Sequence, residues 1–329
     1  MNEFDTDRRR ALSLAVAVAA SVTALSARAD DYPARPVTII APSQPGGGFD
    51  LIGRVAAEVL TRQTGKTFLV ENRAGSGTLV GTQAAAVAAP DGYTLLVGGL
   101  SNLVFNAALY KSPQYDARTA FTTIGLVASY PYVLVARADL PVNNFQDLVA
   151  FAKANPDKLA IATGGPGSGQ HILAAALIKA IGAGITIVPY RGAQGAYQDL
   201  LGGRIDLFID VLPTIRAHVE SRRVKALFTT SARRLASLPD APTVKELGLP
   251  AMEAGSWFGL FAPAKTPAAV IDKLRHSLAL GMRDTALRAR LEKSGVEVLA
   301  LTPAQSDSLI RSEYDRWTTF IRQAGITLD

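Results

Sequence analysis

The sequence predicts an α/β protein of two lobes with a cleft between them. Two glycine-rich loops, residues 42–50 and 163–171, each follow a strand-like run and each precede an apolar stretch of helical period. Strand-like and helical patterns alternate along most of the chain, as they do in parallel α/β units. No low-complexity linker separates the halves, which favours lobes joined by more than one chain crossing.

Each element of this prediction comes from a local pattern. Short apolar runs bounded by turn residues predict strands, and apolar residues spaced by three and four predict helices. Asn143 stands just before the helix predicted for residues 145–154 and is expected to cap it. The strand-like runs are residues 36–40, 94–98, 132–136, 159–162, 185–188, 205–209 and 224–229; the helical runs are residues 51–60, 78–88, 145–154, 172–181 and 193–201; the tail, residues 267–329, is mostly helical.

The order of the elements predicts how the lobes are built. The first lobe is expected to comprise residues 30–130 together with the tail, residues 252–329, and the second lobe residues 131–251. The chain then passes twice between the lobes, and the two passages form a hinge. A cleft is expected at the carboxyl ends of the strands, where ligands of open α/β sheets bind.

Each glycine-rich loop and the helix after it form a site suited to an anion. Glycine lets backbone N–H groups come close to a ligand, and the N–H groups of the first helical turn lack partners and lie at the positive end of the helix dipole. Two such sites facing each other would hold one acidic solute between the lobes. A plain tight turn is the alternative for each loop.

The expected ligand-binding residues come from these loops and from the strand ends around them. Asp50 either meets the ligand or caps its helix, and His171 either meets the ligand or bonds to its own loop. Tyr190 and Asp210 follow strand ends, where a core or hinge role is equally open. The full set is Ser43, Gly46, Gly47, Gly48, Phe49 and Asp50 in the first loop, Ser101 and Asn102 after the strand at 94–98, Thr163, Gly164, Gly165, Ser168, Gly169 and His171 in the second loop, and Tyr190 and Asp210.

Composition narrows the class of protein. The chain has 329 residues, of which 48% are apolar and 19% are charged, and this length is enough for two cores. The formal net charge is +6, but no basic run is interleaved with aromatic residues, so no nucleic-acid partner is expected. A mildly basic surface attracts acidic solutes.

Catalytic and cofactor motifs are missing from the sequence. The chain has no cysteine, and its three histidines, at positions 171, 218 and 276, do not have the spacing of metal ligands. No Gly-x-Ser-x-Gly motif is present. Gln170 and His171 stand where a phosphate-binding loop needs lysine and a hydroxyl residue. We therefore expect no cofactor, no metal and no enzymatic activity.

The N-terminus has the pattern of an export signal. Arg8, Arg9 and Arg10 precede an uncharged stretch, residues 11–27, and residues 27–29 fit the small-residue cleavage pattern. A membrane anchor is the alternative, but the stretch is mainly alanine, valine and serine and is short for a span of about 20 apolar residues. We expect a cleaved signal over residues 1–29 and a periplasmic protein, with the Sec and twin-arginine routes both open.

Motifs along the whole mature chain are similar to those of one receptor family. In order, they occupy residues 32–36, 45–50, 70–77, 90–96, 188–192, 199–206, 239–243 with Glu246, 257–259 and 262–263. The chain resembles the extracytoplasmic solute-binding receptors of tripartite tricarboxylate transporters, often called the Bug or TctC family. Arg191 departs from the family pattern, in which lysine is common, and Gln44 lies at a position that often differs between receptors. These departures concern the choice of ligand.

The resemblance implies a fold, a function and partners. It implies a two-lobed periplasmic-binding-protein fold, a Venus flytrap of type II-like topology with two strand crossovers between lobes, that closes over a small carboxylate. The ligand classes it leaves open are dicarboxylates, tricarboxylates, acidic amino acids and aromatic acids. The implied protein partners are membrane transporter subunits, with the receptor itself a monomer. There are two alternative functions. One is a periplasmic sensor for a membrane signalling protein, and the other is an exported enzyme acting on carboxylic acids.

The signal can be tested directly. We expect the protein recovered from a periplasmic extract to begin at or near residue 30, because the small-residue motif at 27–29 ends the uncharged stretch. Intact-mass spectrometry of that material measures the first residue. Recovery of the chain only from membranes, with Met1 retained, would contradict the cleavage.

Overall fold

The computed structural model describes residues 32–111, 113–235 and 237–327. The export signal predicted for residues 1–29 lies outside this part of the chain. The strands are β1 (Val37–Ala41), β2 (Phe68–Asn72), β3 (Thr94–Gly99), β4 (Phe121–Arg137), β5 (Leu159–Thr163), β6 (Ile185–Pro189), β7 (Leu207–Val211), β8 (Val224–Thr229), β9 (Gly255–Pro263) and β10 (Glu297–Val298). The α-helices are α1 (Gly48–Thr64), α2 (Leu79–Ala86), α3 (Asn106–Leu109), α4 (Phe145–Ala154), α5 (Gly169–Ile181), α6 (Ala193–Leu201), α7 (Leu212–Glu220), α8 (Ala268–Gly281), α9 (Thr285–Lys293) and α10 (Pro303–Ala324).

The strands form the sheets of two lobes. In the first lobe, β1 lies between β2 and β3 in parallel, and β9 joins β3 to the first part of β4 in antiparallel pairing. In the second lobe, β5 lies between β6 and β7 in parallel, and β7 and β8 pair with the second part of β4 in antiparallel register. The predicted α/β class and two-lobed architecture are confirmed.

Strand β4 is 17 residues long and belongs to both lobes. Pro131 is the last residue of β4 that pairs with β9, opposite Gly255, and Tyr132 is the first that pairs with β7, opposite Val211. The sequence predicts only the second part of this strand, since proline is a usual strand breaker. Here the proline lies where the strand exchanges one partner for another, so the strand continues through it.

The chain passes between the lobes first within β4 and again between β8 and β9. The second passage is hydrogen-bonded to the first through Thr230. Its backbone N–H donates to the Tyr132 carbonyl at 2.9 Å, and its hydroxyl accepts from the Tyr132 N–H at 3.0 Å. The same hydroxyl donates to the Ala254 carbonyl at 2.6 Å, while the Ala254 N–H donates to the Thr230 carbonyl at 3.0 Å. Thr230 is fully buried, so these bonds hold the two passages side by side, away from water.

Helix ends follow the local sequence, with one correction to the prediction. Asn144, not Asn143, caps α4, because its extended backbone brings Oδ1 to 2.8 Å from the Asp147 N–H. The Asn143 N–H instead donates to the Asp147 carboxylate at 2.9 Å. The Asn143 side-chain oxygen accepts from Lys225 at 3.3 Å and takes no part in capping the helix.

The helical tail completes the first lobe. Helix α8 packs on α1, and α10 packs on β4 and on a π-helical turn, Ser101–Phe105. Trp317 and Ile321 are buried in this contact, and the Trp317 and Phe105 rings meet edge to face at 5.2 Å between centroids. Burial of one such large apolar side chain contributes about 1.5–3 kcal/mol. In the described part of the chain, no helix has both the length and the apolar character needed to cross a membrane.

Candidate functional site

A cavity of about 530 Å³ lies between the two lobes, at the carboxyl ends of the parallel strands. Its walls are the segments that leave β1, β2, β3, β5, β6 and β7, together with the two passages between lobes. This is the position in which open α/β sheets bind ligands. The lining residues are Pro42, Ser43, Gln44, Pro45, Gly47, Gly48, Phe49, residues 74–78, Ser101, Tyr132, Gly164, Gly165, Pro166, Ser168, Gln170, residues 189–193, Asp210, Val211, Ser256 and Phe258.

The first glycine-rich loop presents a helix start to the cavity. Gly48 and Phe49 are the first residues of α1, whose first-turn N–H groups have no acceptor within the helix. A side chain at position 48 would collide with Phe258, because a Cβ there would lie 2.9 Å from the Phe258 ring. Phe49 packs on that same ring edge to face, at 4.9 Å between centroids. Because residue 48 is glycine, backbone atoms face the cavity at this wall.

Asp50 and Gly46 shape this loop from behind the cavity wall. The Asp50 carboxylate is 4% exposed, accepts the Gly46 N–H at 2.9 Å and is paired with Arg54. Burial would raise the pKa of Asp50, but the hydrogen bonds from Arg54 and Gly46 outweigh it and hold that pKa below its usual value. An ionised Asp50 thus fixes the loop, and neither residue lines the cavity.

The second glycine-rich loop lines the cavity with Gly164, Gly165 and Ser168. Gly165 has a φ of +99°, which favours glycine. The Ser168 hydroxyl caps α5 by accepting the His171 N–H at 3.2 Å. His171 itself turns back, and its Nδ1 accepts the Gly167 N–H at 3.3 Å. Burial lowers the pKa of His171, so its ring is neutral at pH 7.

Contacts between the lobes close over the cavity. The Ser101 hydroxyl, from the first lobe, accepts the N–H of Gly169, the first residue of α5, at 3.0 Å. A Cβ at Gly77, in the first lobe, would lie 1.6 Å from the carbonyl oxygen of Pro166, in the second lobe. An approach this close is open only to glycine, so backbone from the two lobes is in contact in this closed form.

Two further predicted residues are fully buried beside the cavity, outside its lining. The Asn102 amide accepts the Gly99 N–H at 2.8 Å and donates to the Thr82 hydroxyl at 3.0 Å. The Thr163 carbonyl accepts the Tyr190 N–H at 2.9 Å. Both residues thereby hold the strand ends from which lining residues project.

A buried carboxylate forms the deep end of the cavity. One oxygen of Asp210 accepts the Val211 N–H at 2.8 Å and the Gln170 side-chain amide at 3.0 Å. Its other oxygen accepts the hydroxyls of Thr214 at 2.6 Å and Tyr197 at 3.2 Å. Burial raises the pKa of Asp210, against the lowering effect of these donors.

Tyr190 lies nearer to the surface at the end of β6. Its hydroxyl donates to Asp199 at 2.6 Å, and burial together with that carboxylate raises the pKa of Tyr190 to about 12. The phenol is therefore neutral at pH 7, and Tyr190 lines the cavity with an uncharged side chain.

The structure thus divides the predicted residues into two groups. Ser43, Gly47, Gly48, Phe49, Ser101, Gly164, Gly165, Ser168, Tyr190 and Asp210 come together on the cavity wall. Gly46, Asp50, Asn102, Thr163, Gly169 and His171 lie outside the lining and bond to neighbouring backbone or side chains.

Other lining residues were not predicted. The largest such segment is residues 74–78, between β2 and α2, whose Gly75 and Gly77 have positive φ. A glycine-rich run directly after a short strand was the available signal for it. Gln170 lies in the second glycine-rich loop, so the signal of that loop covers it. Tyr132, Ser256 and Phe258 carry no comparable signal, because only the fold brings them to the cavity.

The sequence and this site agree with a known receptor family. Residues 52–326 match the family described as the tripartite tricarboxylate transporter family receptor. The chain belongs to this family, and the resemblance drawn from its motifs is confirmed.

Solved structures have the same architecture. The periplasmic binding protein BugD is 36% identical, with 90% of this chain and 100% of that chain covered and a TM-score of 0.85. Rpa4515 of R. palustris, solved with adipate, is 31% identical, with 91% and 100% covered and a TM-score of 0.86. MatC of Rhodopseudomonas palustris, solved with bound malate, is 29% identical, with 88% and 100% covered and a TM-score of 0.84. The periplasmic location predicted from the sequence agrees with the family.

Proposed function

We propose that this chain captures a small carboxylate between its lobes in the periplasm and delivers it to the membrane subunits of a tripartite tricarboxylate-type transporter. One observation carries the proposal: two glycine-rich loops from different lobes line a single cavity, and one of them presents the start of an α-helix. Unpaired backbone N–H groups at the positive end of a helix are donors suited to a carboxylate.

The chemistry of the lining supports a carboxylate over a neutral or cationic solute. Hydrogen bonds from backbone N–H groups to an ionised acid are shorter and stronger than those between neutral groups. Ser76 and Thr78 add hydroxyl groups to the same walls, while the Ser43 hydroxyl donates to the Gln44 carbonyl. Adipate and malate, bound in the two related structures, are both small carboxylates. Serine, threonine and backbone donors of this kind bind the acid group. The other lining residues contact the rest of the ligand.

The proposed roles of the residues follow their positions. The predicted residues on the cavity wall contact the ligand, and those outside the lining hold the loops in shape. The proposed lobes are residues 30–130 with 252–329, and residues 131–251. These limits fall near the points where β4 changes partners and where β9 begins.

The remaining features concern export and partners. The cleaved signal over residues 1–29 sends the chain to the periplasm, where it acts as a monomer that meets the membrane subunits when closed. A receptor is favoured over an enzyme because, in the described lining, the one acid is bonded to four donors and no histidine or lysine stands beside it. That leaves no base to activate a nucleophile.

A panel of ligands tests the function. We expect the mature protein to bind at least one of butanedioate, hexanedioate, malate, citrate, glutamate and benzoate, because its cavity offers backbone donors to a carboxylate. At about 100 times the dissociation constant, such a ligand raises the free energy of unfolding by roughly 2.7 kcal/mol. Thermal-shift assays detect the change, and calorimetry gives the affinity.

The control for the panel is the diamide of each dicarboxylate, which has the same shape and no charge. Equal stabilisation by the acid and by its diamide would contradict recognition of a carboxylate. Stabilisation by none of these acids would contradict the proposed function.

A second experiment tests whether backbone groups hold the ligand. We expect Gly47→Val and Gly165→Val to weaken binding by about 10-fold or more, equivalent to about 1.4 kcal/mol. Valine at 165 meets a φ of +99° and the Tyr190 carbonyl at 3.3 Å, and valine at 47 places methyl groups on the cavity wall. Calorimetry with the tightest ligand of the panel measures both losses.

His171→Ala is the matched control, since His171 lies outside the lining and faces its own loop. We expect it to change the affinity by less than about 3-fold, with folding of each variant checked by circular dichroism. Normal binding by both valine variants, together with loss of binding in His171→Ala, would refute the backbone mechanism.

A further inference from the structure

A second groove, of about 710 Å³, lies on the opposite side of the two chain passages from the ligand cavity. Successive side chains of a strand point to opposite faces. In β4, Tyr132 lines the cavity and Pro131 lines the groove. In β9, Ser256 lines the cavity and Gly255 lines the groove. The passages between the lobes therefore separate the cavity in front from this rear groove behind.

The rear groove has one wall from each lobe. The first lobe supplies the segment from the end of α9 to β10 and part of α10, and the second lobe supplies the start of α7 and the loop after β8. Because the strands that join the lobes lie between the cavity and the groove, a rotation that widens the cavity narrows the groove. Gly77 and Pro166 are in contact at the front in this structure, so the groove has the width that belongs to a closed cleft.

The two walls of the rear groove meet at Leu212 in α7 and Gly295 before β10. A Cβ at Gly295 would lie 2.6 Å from the Leu212 side chain, so no space remains between the walls at this point. Beside it, the Arg216 guanidinium donates to the carbonyl of Lys293, the last residue of α9. Arg216 also pairs with Glu220 of its own helix at 2.6 Å. A long side chain of the second lobe thus crosses the groove and bonds to the first lobe.

We infer that the side chains in the rear groove set the affinity of the protein for its ligand without touching that ligand. The inference rests on the proposed function, since it takes closure to accompany capture. A side chain that occupies the groove fits when the cleft is closed and is compressed when the cleft opens, so it disfavours the open form. Arg216 has this role in the natural sequence, because its bulk opposes narrowing of the groove and its bond to Lys293 joins the walls.

This mechanism has a signature that a change inside the cavity lacks. The apparent dissociation constant equals the intrinsic constant divided by the fraction of protein in the binding-competent form. A change confined to the rear groove alters that fraction and leaves the contacts with the ligand as they are. The dissociation constants of all ligands therefore change by one common factor.

Two variants fill the rear groove from opposite walls. Ala232→Trp adds bulk from the second lobe and Glu297→Trp adds it from the first, and both positions are exposed in the groove lining. Glu297→Gln is the control for the lost charge. Val87→Trp is the control for an added tryptophan, since Val87 is 82% exposed and lines neither the cavity nor the groove. Circular dichroism checks the folding of each variant.

We expect both filling variants to have a smaller radius of gyration than the unaltered protein when no ligand is present, because the open form is disfavoured. Small-angle scattering measures this radius. Calorimetry with the acids of the panel should give dissociation constants that are lower by about 3-fold or more, by one common factor for all acids that bind. Both controls should keep these constants within about 2-fold, because they leave the groove unfilled.

Removal of the natural side chain should act in the opposite direction. We expect Arg216→Ala to enlarge the ligand-free radius and to raise the dissociation constants by about 3-fold or more. Arg216→Lys should restore most of the affinity, because its ammonium is also a donor for the Lys293 carbonyl. Glu220→Gln removes the ion pair of Arg216 and leaves the groove occupied, so it should bind as the unaltered protein does.

The contrary results are distinct. Unchanged radii and dissociation constants in both filling variants would overturn this inference, and so would weaker binding by both. Changes that differ in size from acid to acid would also overturn it, since that pattern indicates altered contacts inside the cavity. Failure of the unaltered protein to bind any acid of the panel would contradict the proposed function, while the ligand-free radii would still decide whether the rear groove controls closure.

Discussion

The hydrogen bonds of Thr230 are the constraint on which the rest of the structure depends. They join the two chain passages between lobes in a place without water, through Tyr132 on one side and Ala254 on the other. Since β4 runs unbroken through the first passage, the lobes can rotate about this pair of strands but cannot drift apart. The glycine-rich loops at the ends of β1 and β5 are therefore held facing one cavity.

In the proposed function, binding and closure are one event. Neither lobe alone encloses the cavity, and the contacts of Gly77 with Pro166 and of Ser101 with Gly169 exist only when the lobes meet. A ligand that bonds to both walls stabilises the closed form by its differential affinity for that form. In the proposed function, a membrane partner would recognise this closed surface, whichever acid lies inside.

Local sequence patterns predict the helices and strands whose limits are set by residues next to them in the chain. The helices at residues 145–154 and 193–201 and the strand at 224–229 have the predicted limits, because turn residues bound each of them. The full length of β4 and the whole of β9 were not predicted, since pairing between strands over 100 residues apart in sequence makes them strands. For the site, glycine spacing identifies both loops. Whether Asp50, Asn102 or His171 turns toward the cavity depends on partners such as Arg54 and Thr82, which sequence spacing does not reveal.

The central claim is that a carboxylate closes the two lobes upon each other, and small-angle scattering tests it most directly. The radius of gyration of the mature protein should fall when the tightest-binding acid saturates it. In Gly77→Ala it should stay at the larger value, because a Cβ there would lie 1.6 Å from the Pro166 oxygen of the other lobe. An unchanged radius of the unaltered protein at saturation, or full closure of Gly77→Ala, would contradict the account.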